Sequence, residues 1–254
     1  MVVAVTSCFS DLVTAHLLTP GDSGWAETQT LYQAGAQDER AARCADGPSV
    51  VLTDSTLAIG TAVPPYADPE EANGVVYLYE WDGDGFVGPE TTLTEPDPVP
   101  GSRFGCNLAA NGERLVVTAP LENEGAGAVY VYRRQPGGWT FEQRLEPTNT
   151  RPDQWFGFDV ALSERWLLVG APRDQGSLGG INNFGGELFE TDGRPGAAYL
   201  FELADGDWVQ RYYLKRPNPE PHDGFGGGVA LDNGQVFVAG DSPGSNVMVW
   251  ALME

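Results

Sequence analysis

Phe156-Gly157-Phe158-Asp159-Val160-Ala161-Leu162 is followed, after three polar residues and a tryptophan, by Leu167-Leu168-Val169-Gly170-Ala171-Pro172. The same pair of blocks occurs at Phe104-Gly105 to Ala110 with Leu115 to Pro120, and at Phe225-Gly226 to Leu231 with Val236 to Asp241. In all three the second block begins eleven positions after the Phe. A weaker copy runs from Asp46 to Leu52 with Leu57 to Ala62. A third block begins on a small residue and ends on an aromatic: Gly74 to Tyr79, Gly127 to Tyr132, Gly196 to Phe201 and Ser245 to Trp250. Seven residues after that aromatic stands Phe86, Trp139 or Trp208, opening a fourth block that closes on Leu93, Leu145 or Leu214. Each of those leucines precedes the next Phe-Gly, or follows the pattern to it, by eleven residues.

A ruler of this length marks a repeat architecture in which each unit is too small to bury its own faces. The blocks are short, rich in Val, Leu, Tyr, Phe and Trp, and bounded by Gly, Pro, Asp and Asn, which is strand chemistry. Helical periodicity is visible only at Glu39 to Cys44. The inner blocks are apolar on consecutive residues, so both faces of the sheet must be covered. The expectation is an all-β chain: a β-propeller of about five four-stranded antiparallel blades, in one domain over residues 1–254, with repeats at 1–31, 46–93, 104–145, 156–214 and 225–250. At the N-terminus Met1 to Ser7 takes a second-block slot, Val13 to Leu18 a third and Trp25 to Leu31 a fourth. The first copy therefore lacks its Phe-Gly strand, and the last lacks its Trp strand.

The columns Phe-Gly-x-x-Val-Ala-Leu, Leu-Val-Gly-Ala-Pro and Gly-Ala-Ala-Tyr-Leu-Phe resemble the short bacterial form of the FG-GAP repeats found in integrin α-chain propellers. The resemblance covers residues 46 to 250 well and 1 to 31 loosely. It implies a β-propeller of the kind found in secreted or cell-surface adhesion-type proteins, and the expectation beside it is a non-catalytic module that presents ligand-binding loops on one face to a protein or glycan. Integrin-type blades often carry an Asp-x-Asp-x-Asp-Gly calcium loop between the first two strands. Here that connection shrinks to Asn111-Gly112-Glu113, Ser163-Glu164-Arg165 or Asp232-Asn233-Gly234, too short to converge enough oxygens. No metal and no cofactor are expected, and Asp82-Gly83-Asp84-Gly85 reads as a tight turn.

Charge and composition narrow the partners. The 36 acidic residues against 14 basic ones give a formal charge of -22, which disfavours nucleic acid and anionic membrane surfaces. Apolar runs such as Trp166 to Ala171 are far short of the roughly 20 residues of a membrane-spanning helix, and no secretory leader is visible. His16 falls in the column of Tyr77, Tyr130 and Tyr199 and reads as a packed strand residue, while His222 reads as a solvated connector residue. Neither has a nucleophile motif beside it, so no catalytic residue is assigned.

Binding should sit where loop length varies on a constant scaffold. The connection between the second and third blocks is six residues after Pro120 but 23 residues, Arg173 to Pro195, in the following copy. Candidate ligand-binding residues are Asp174, Asn182, Asn183, Phe184, Glu187, Phe189 and Asp192 of that insertion, with Tyr66, Glu122 and Trp155 on the same loop face. Replacing the whole insertion with a six-residue loop should leave the fold intact. Cys8 and Cys44 both fall on that face and form a candidate disulfide, whereas Cys106 sits in a strand column as an expected buried thiol. Two alternatives stand beside the binding module: a structural segment that forms homo-oligomers through incomplete terminal blades, and a hydrolase or lyase built from loop carboxylates.

Overall fold

The computed structural model describes residues 3–9, 12–21, 24–32, 49–61, 74–182, 193–240 and 247–252. Among the described residues the chain is all β apart from one short turn at Glu122–Gly125, and its sheets succeed one another along the sequence. The first contains β1 (Val3–Phe9), β2 (Leu12–Gly21) and β3 (Gly24–Tyr32). The second contains β4 (Ser49–Leu52), β5 (Thr56–Thr61), β6 (Val75–Trp81) and β7 (Phe86–Leu93), and the third β8 (Leu108–Ala110), β9 (Arg114–Ala119), β10 (Ala128–Gln135) and β11 (Gly138–Leu145). The fourth contains β12 (Val160–Leu162), β13 (Trp166–Ala171), β14 (Gly180–Ile181), β15 (Ala197–Ala204) and β16 (Asp207–Lys215), and the last β17 (Gly228–Asp232), β18 (Gln235–Ala239) and β19 (Met248–Ala251). Every strand pair is antiparallel. The leading strands β1, β4, β8, β12 and β17 touch in that order, which gives a propeller arrangement of blades.

As the repeat implied, the first sheet has no Phe-Gly strand and the last has no fourth strand among the described residues. The register of the first sheet is set independently by a bulge. Pairing between third and fourth strands slips at Leu17/Leu18, Leu78/Glu80, Val131/Tyr132 and Leu200/Phe201, the same column in four sheets. A bulge adds local twist, which turns the outer strand relative to its neighbours. One feature departs from the four-stranded expectation. Part of the long insertion becomes β14, which adds to the outer edge of the fourth sheet by pairing Gly180 with Lys215 and Ile181 with Leu214.

The core lies between sheets. Four apolar clusters separate the five sheets, each drawing residues from two successive ones. Phe104, Phe156 and Phe225 are fully buried. Phe156 meets Tyr199 edge to face at 5.4 Å, as Phe104 meets Tyr130 at the same distance. Burying one such ring contributes about 1.5–3 kcal/mol, and the edge-to-face contact adds about 0.5–1.5 kcal/mol.

Close backbone approach explains the glycines of the motif. A Cβ on Gly170 would lie 2.0 Å from the Gly226 carbonyl oxygen of the next sheet. At Gly196, where φ is +79°, it would lie 2.1 Å from the Phe225 oxygen. Only glycine admits both the contact and the left-handed conformation.

A second tie between sheets escaped the motif reading. Gln29 on β3 donates to the Phe86 carbonyl at 2.7 Å and accepts from the Phe86 amide at 3.0 Å. Gln143 on β11 makes the same pair with Trp208, at 3.1 and 2.8 Å. Both glutamines stand two residues before the closing leucine of their sheet, so the aromatic that opens the next fourth strand is held by its backbone as well as its ring. His16 is half-buried with Nδ1 3.2 Å from Glu27 Oε2, and Cys106 is half-buried rather than fully enclosed. The Asp82 to Gly85 turn is closed by the Asp82 carboxylate, which accepts from the Asp84 and Gly85 amides. Those bonds hold its carboxyl below the usual range. The helical expectation at Glu39 to Cys44 lies outside the described residues.

Candidate functional site

The loop face is built by hydrogen bonds that run from one sheet to the next. The turn after β9 accepts from the connector before β12: Asp153 N to Glu124 O at 3.0 Å, Trp155 N to Gly125 O at 2.8 Å and Phe156 N to Ala126 O at 3.2 Å. The end of the insertion repeats the pattern, with Gly224 N to Arg194 O at 3.3 Å and Phe225 N to Pro195 O at 2.9 Å. Connector residues reach these partners by entering the left-handed region: Asp153 has φ 62° and Trp155 φ 56°, matched by His222 at 65° and Gly224 at 58°. Non-glycine residues held there stay only where surrounding contacts over-determine them, which makes this a rigid face.

Two acids expected at the ligand surface are interior instead. Glu122 and Asp174 each stand two residues after the Ala-Pro that ends a second strand, and both are buried beneath the loops. Glu122 accepts from Tyr130 Oη at 2.7 Å and from Arg144 at 2.7 and 3.1 Å. Asp174 accepts from five donors: Tyr213 Oη at 2.6 Å, Lys215 Nζ at 2.8 Å, Gln154 Nε2 at 2.8 Å, the Gly176 amide at 3.0 Å and Tyr199 Oη at 3.1 Å. Burial opposes ionisation of Asp174, but Lys215 and the hydrogen bonds outweigh it and hold the carboxyl below its ordinary value. The same burial, with the carboxylate beside them, pushes the Tyr199 and Tyr213 phenols well up. These acids are buried and bonded to protein donors, so they organise the loops from within.

Asn182 is exposed, but it is tied to β16: Oδ1 accepts from the Tyr213 amide at 2.8 Å, and its backbone N–H donates to the Tyr213 carbonyl at 2.8 Å. The insertion is therefore structural at both ends: Asp174 anchors its start, Asn182 and β14 tie its middle to the sheet edge, and Arg194-Pro195 clasps the next blade. Removing all of it would take away Asp174, the ion-pair partner of the fully buried Lys215. Asn183, Phe184, Glu187, Phe189, Asp192 and Tyr66 lie outside the described residues, as does Cys44, the candidate partner of Cys8.

Trp155 does sit in a site. It borders a cavity of about 320 Å³ whose other walls are Phe158, Pro172, Arg173, Arg194, His222 and Gly224. Trp155 stacks on Phe158 at 5.9 Å and 14°, and the Arg173 guanidinium lies 4.2 Å from the Trp155 ring centre. Asp153 bridges the two arginines, with Oδ2 3.0 Å from Arg173 and 3.1 Å from Arg194. Burial and the neighbouring Arg194 charge hold the Arg173 guanidinium below its usual range. The cleft is thus lined by aromatic carbon and cationic donors in a strongly acidic chain. Sequence reading missed Arg173, Arg194 and His222 because it weighed the acids inside the insertion. The available signal was position: the two arginines bracket the insertion, one directly after Ala171-Pro172 and one directly before Pro195-Gly196.

Among the described residues no group of three or more His, Cys, Asp or Glu side chains could hold a metal ion, and no helix is long and apolar enough to cross a membrane. The family model for the FG-GAP repeat matches residues 88–132 and 139–201, which include two Phe-Gly blocks and the start and end of the long insertion. No curated protein matches the chain.

Proposed function

We propose that this chain, an FG-GAP repeat protein with a propeller arrangement of blades, is a non-catalytic, extracellular or cell-surface binding module whose ligand enters the cleft beside Trp155. The observation that carries the reading is convergence. Both ends of the longest inter-strand loop and two successive connectors meet around one cavity, on backbones locked by hydrogen bonds between sheets. Rigid framework under variable loops is the arrangement by which scaffolds present recognition surfaces.

The test is a glycan-array screen and a surface-protein pull-down, comparing the native chain with Trp155→Ala, which removes the aromatic wall of the cleft. This substitution leaves Asp174, β14 and Arg194 in place. Retained thermal stability with lost capture supports the reading; unchanged capture, or a collapsed fold, defeats it.

A second reading rests on β19. It is the outer edge of its three-stranded sheet, and Val247 and Val249 near that edge are 57% and 51% exposed. An open apolar edge is a template for strand addition, so self-association through it is the alternative. Native mass spectrometry at micromolar concentration distinguishes the two: a dimer abolished by Val249→Lys favours edge pairing, and a monomer opposes it.

A further inference from the structure

We infer that the cleft between Trp155, Arg173 and Arg194 is a carboxylate site for a compact acidic sugar, a hexuronate. The inference rests on the binding reading above and names the ligand class of that same cleft.

Charge balance is the first argument. Among the described residues the two guanidiniums share one carboxylate, Asp153, so within that set the pair keeps a net positive charge. Nε of Arg173 and Nε of Arg194 are both buried and meet no acceptor among the described residues. Those atoms are enclosed, but the side chains keep exposed surface, 19% for Arg173 and 36% for Arg194, and a carboxylate meeting the guanidinium ends gains charge-assisted hydrogen bonds. An entering anion also relieves the repulsion between the two arginines.

Size and surroundings decide which anion. With a formal charge of -22, the rest of the chain repels an extended polyanion before it can dock. A cavity of about 320 Å³ lies at the lower end of the range of roughly 300–1,000 Å³ typical of small-molecule sites, which suits a single ring. Phe158 and Pro172 supply apolar wall against which the C–H face of a pyranose packs, while the carboxylate turns to the arginines. An inorganic anion would leave that apolar wall unused.

The experiment is calorimetric and NMR titration of the full chain with D-glucuronate and D-galacturonate, beside D-glucose, N-acetyl-aspartate and inorganic phosphate. Saturable 1:1 uronate binding at least tenfold tighter than any of the other three is expected. Arg173→Gln and Arg194→Gln should each weaken it tenfold or more. Asp153→Asn removes the internal competitor and should tighten uronate binding several-fold, an outcome that damage to the fold cannot imitate. Absence of uronate binding, or weaker binding in Asp153→Asn, overturns the inference. Equal binding of glucose overturns the carboxylate role, and equal binding of phosphate or N-acetyl-aspartate overturns the assignment to a sugar. If uronate fails while captured ligand is still lost in Arg173→Gln, only the ligand class is wrong; if neither responds, the binding reading falls with it.

Discussion

Replacing Lys215 with methionine tests whether the acids under the loop face act as internal anchors. The side chain is completely buried and its Nζ lies 2.8 Å from Asp174 Oδ1. Methionine keeps much of the volume and removes the charge. Asp174 would retain four donors, from Tyr213, Tyr199, Gln154 and Gly176, but no counterion. Breaking a buried pair on one side costs about 3–5 kcal/mol. In a domain of this size that lowers Tm by about 6–20 °C. Adding Asp174→Asn leaves no uncompensated charge, so Lys215→Met with Asp174→Asn should be more stable than Lys215→Met alone.

The pH dependence has a fixed sign. Asp174 titrates below its unfolded value in the native protein, so its contribution is complete above the unfolded carboxylate pKa and is lost as pH falls through the depressed native one. Without Lys215 the native value rises, and the gap between variant and native chain should narrow on acidification. Urea denaturation between pH 4 and pH 8 measures all of this. A loss below about 1 kcal/mol for Lys215→Met, a figure expected of an exposed pair, or a double variant worse than the single, would refute the anchor.

Other contacts between the sheets give further expected outcomes. Gly170→Ala forces a Cβ to 2.0 Å from a carbonyl oxygen of the next sheet and should destabilise the chain by about 2 kcal/mol or more in denaturant unfolding. Gln143→Ala leaves the Trp208 backbone pair without its amide partner and should cost about 1–2 kcal/mol, while the near-isosteric Gln143→Glu recovers only the accepted bond. Burial raises the Glu95 pKa, so the native state binds more protons than the unfolded chain above the unfolded value; Glu95→Gln should become progressively more favourable, relative to the native chain, from pH 4 to pH 7 in the same assay. Thiol titration of the unfolded, unreduced chain should find one reactive cysteine if Cys8 and Cys44 are joined, and three rules the bridge out.

The repeat ruler made the sheets legible in one dimension. Consecutive apolar residues at 57–59, 115–117 and 167–169, bracketed by turn residues at constant spacing, specify two-faced burial and hence strands packed between neighbours. The N-terminal sheet was readable by the same spacing, although its Phe-Gly block is missing, because Leu18 keeps the column where the bulge falls. What the ruler could not carry was the role of residues that interrupt it. Glu122 and Asp174 looked like loop-surface acids because loops are ordinarily solvated; their position two residues beyond Ala-Pro places them under the loop, where tyrosines of the third strand wait. Gln29 and Gln143 looked like ordinary strand polar residues, since their partners lie 57 and 65 positions away.

Sequence alone, then, determined the all-β class, the order of the sheets and the columns that face the interior, because burial imposes a local period that a repeat displays many times over. Tertiary structure decided which charges are interior, that part of the insertion becomes an edge strand, and that Arg173, Arg194 and His222 share a cavity with Trp155. Those facts depend on how one blade's loop meets the next blade's connector, and contacts between segments dozens of residues apart leave no period in the chain to read.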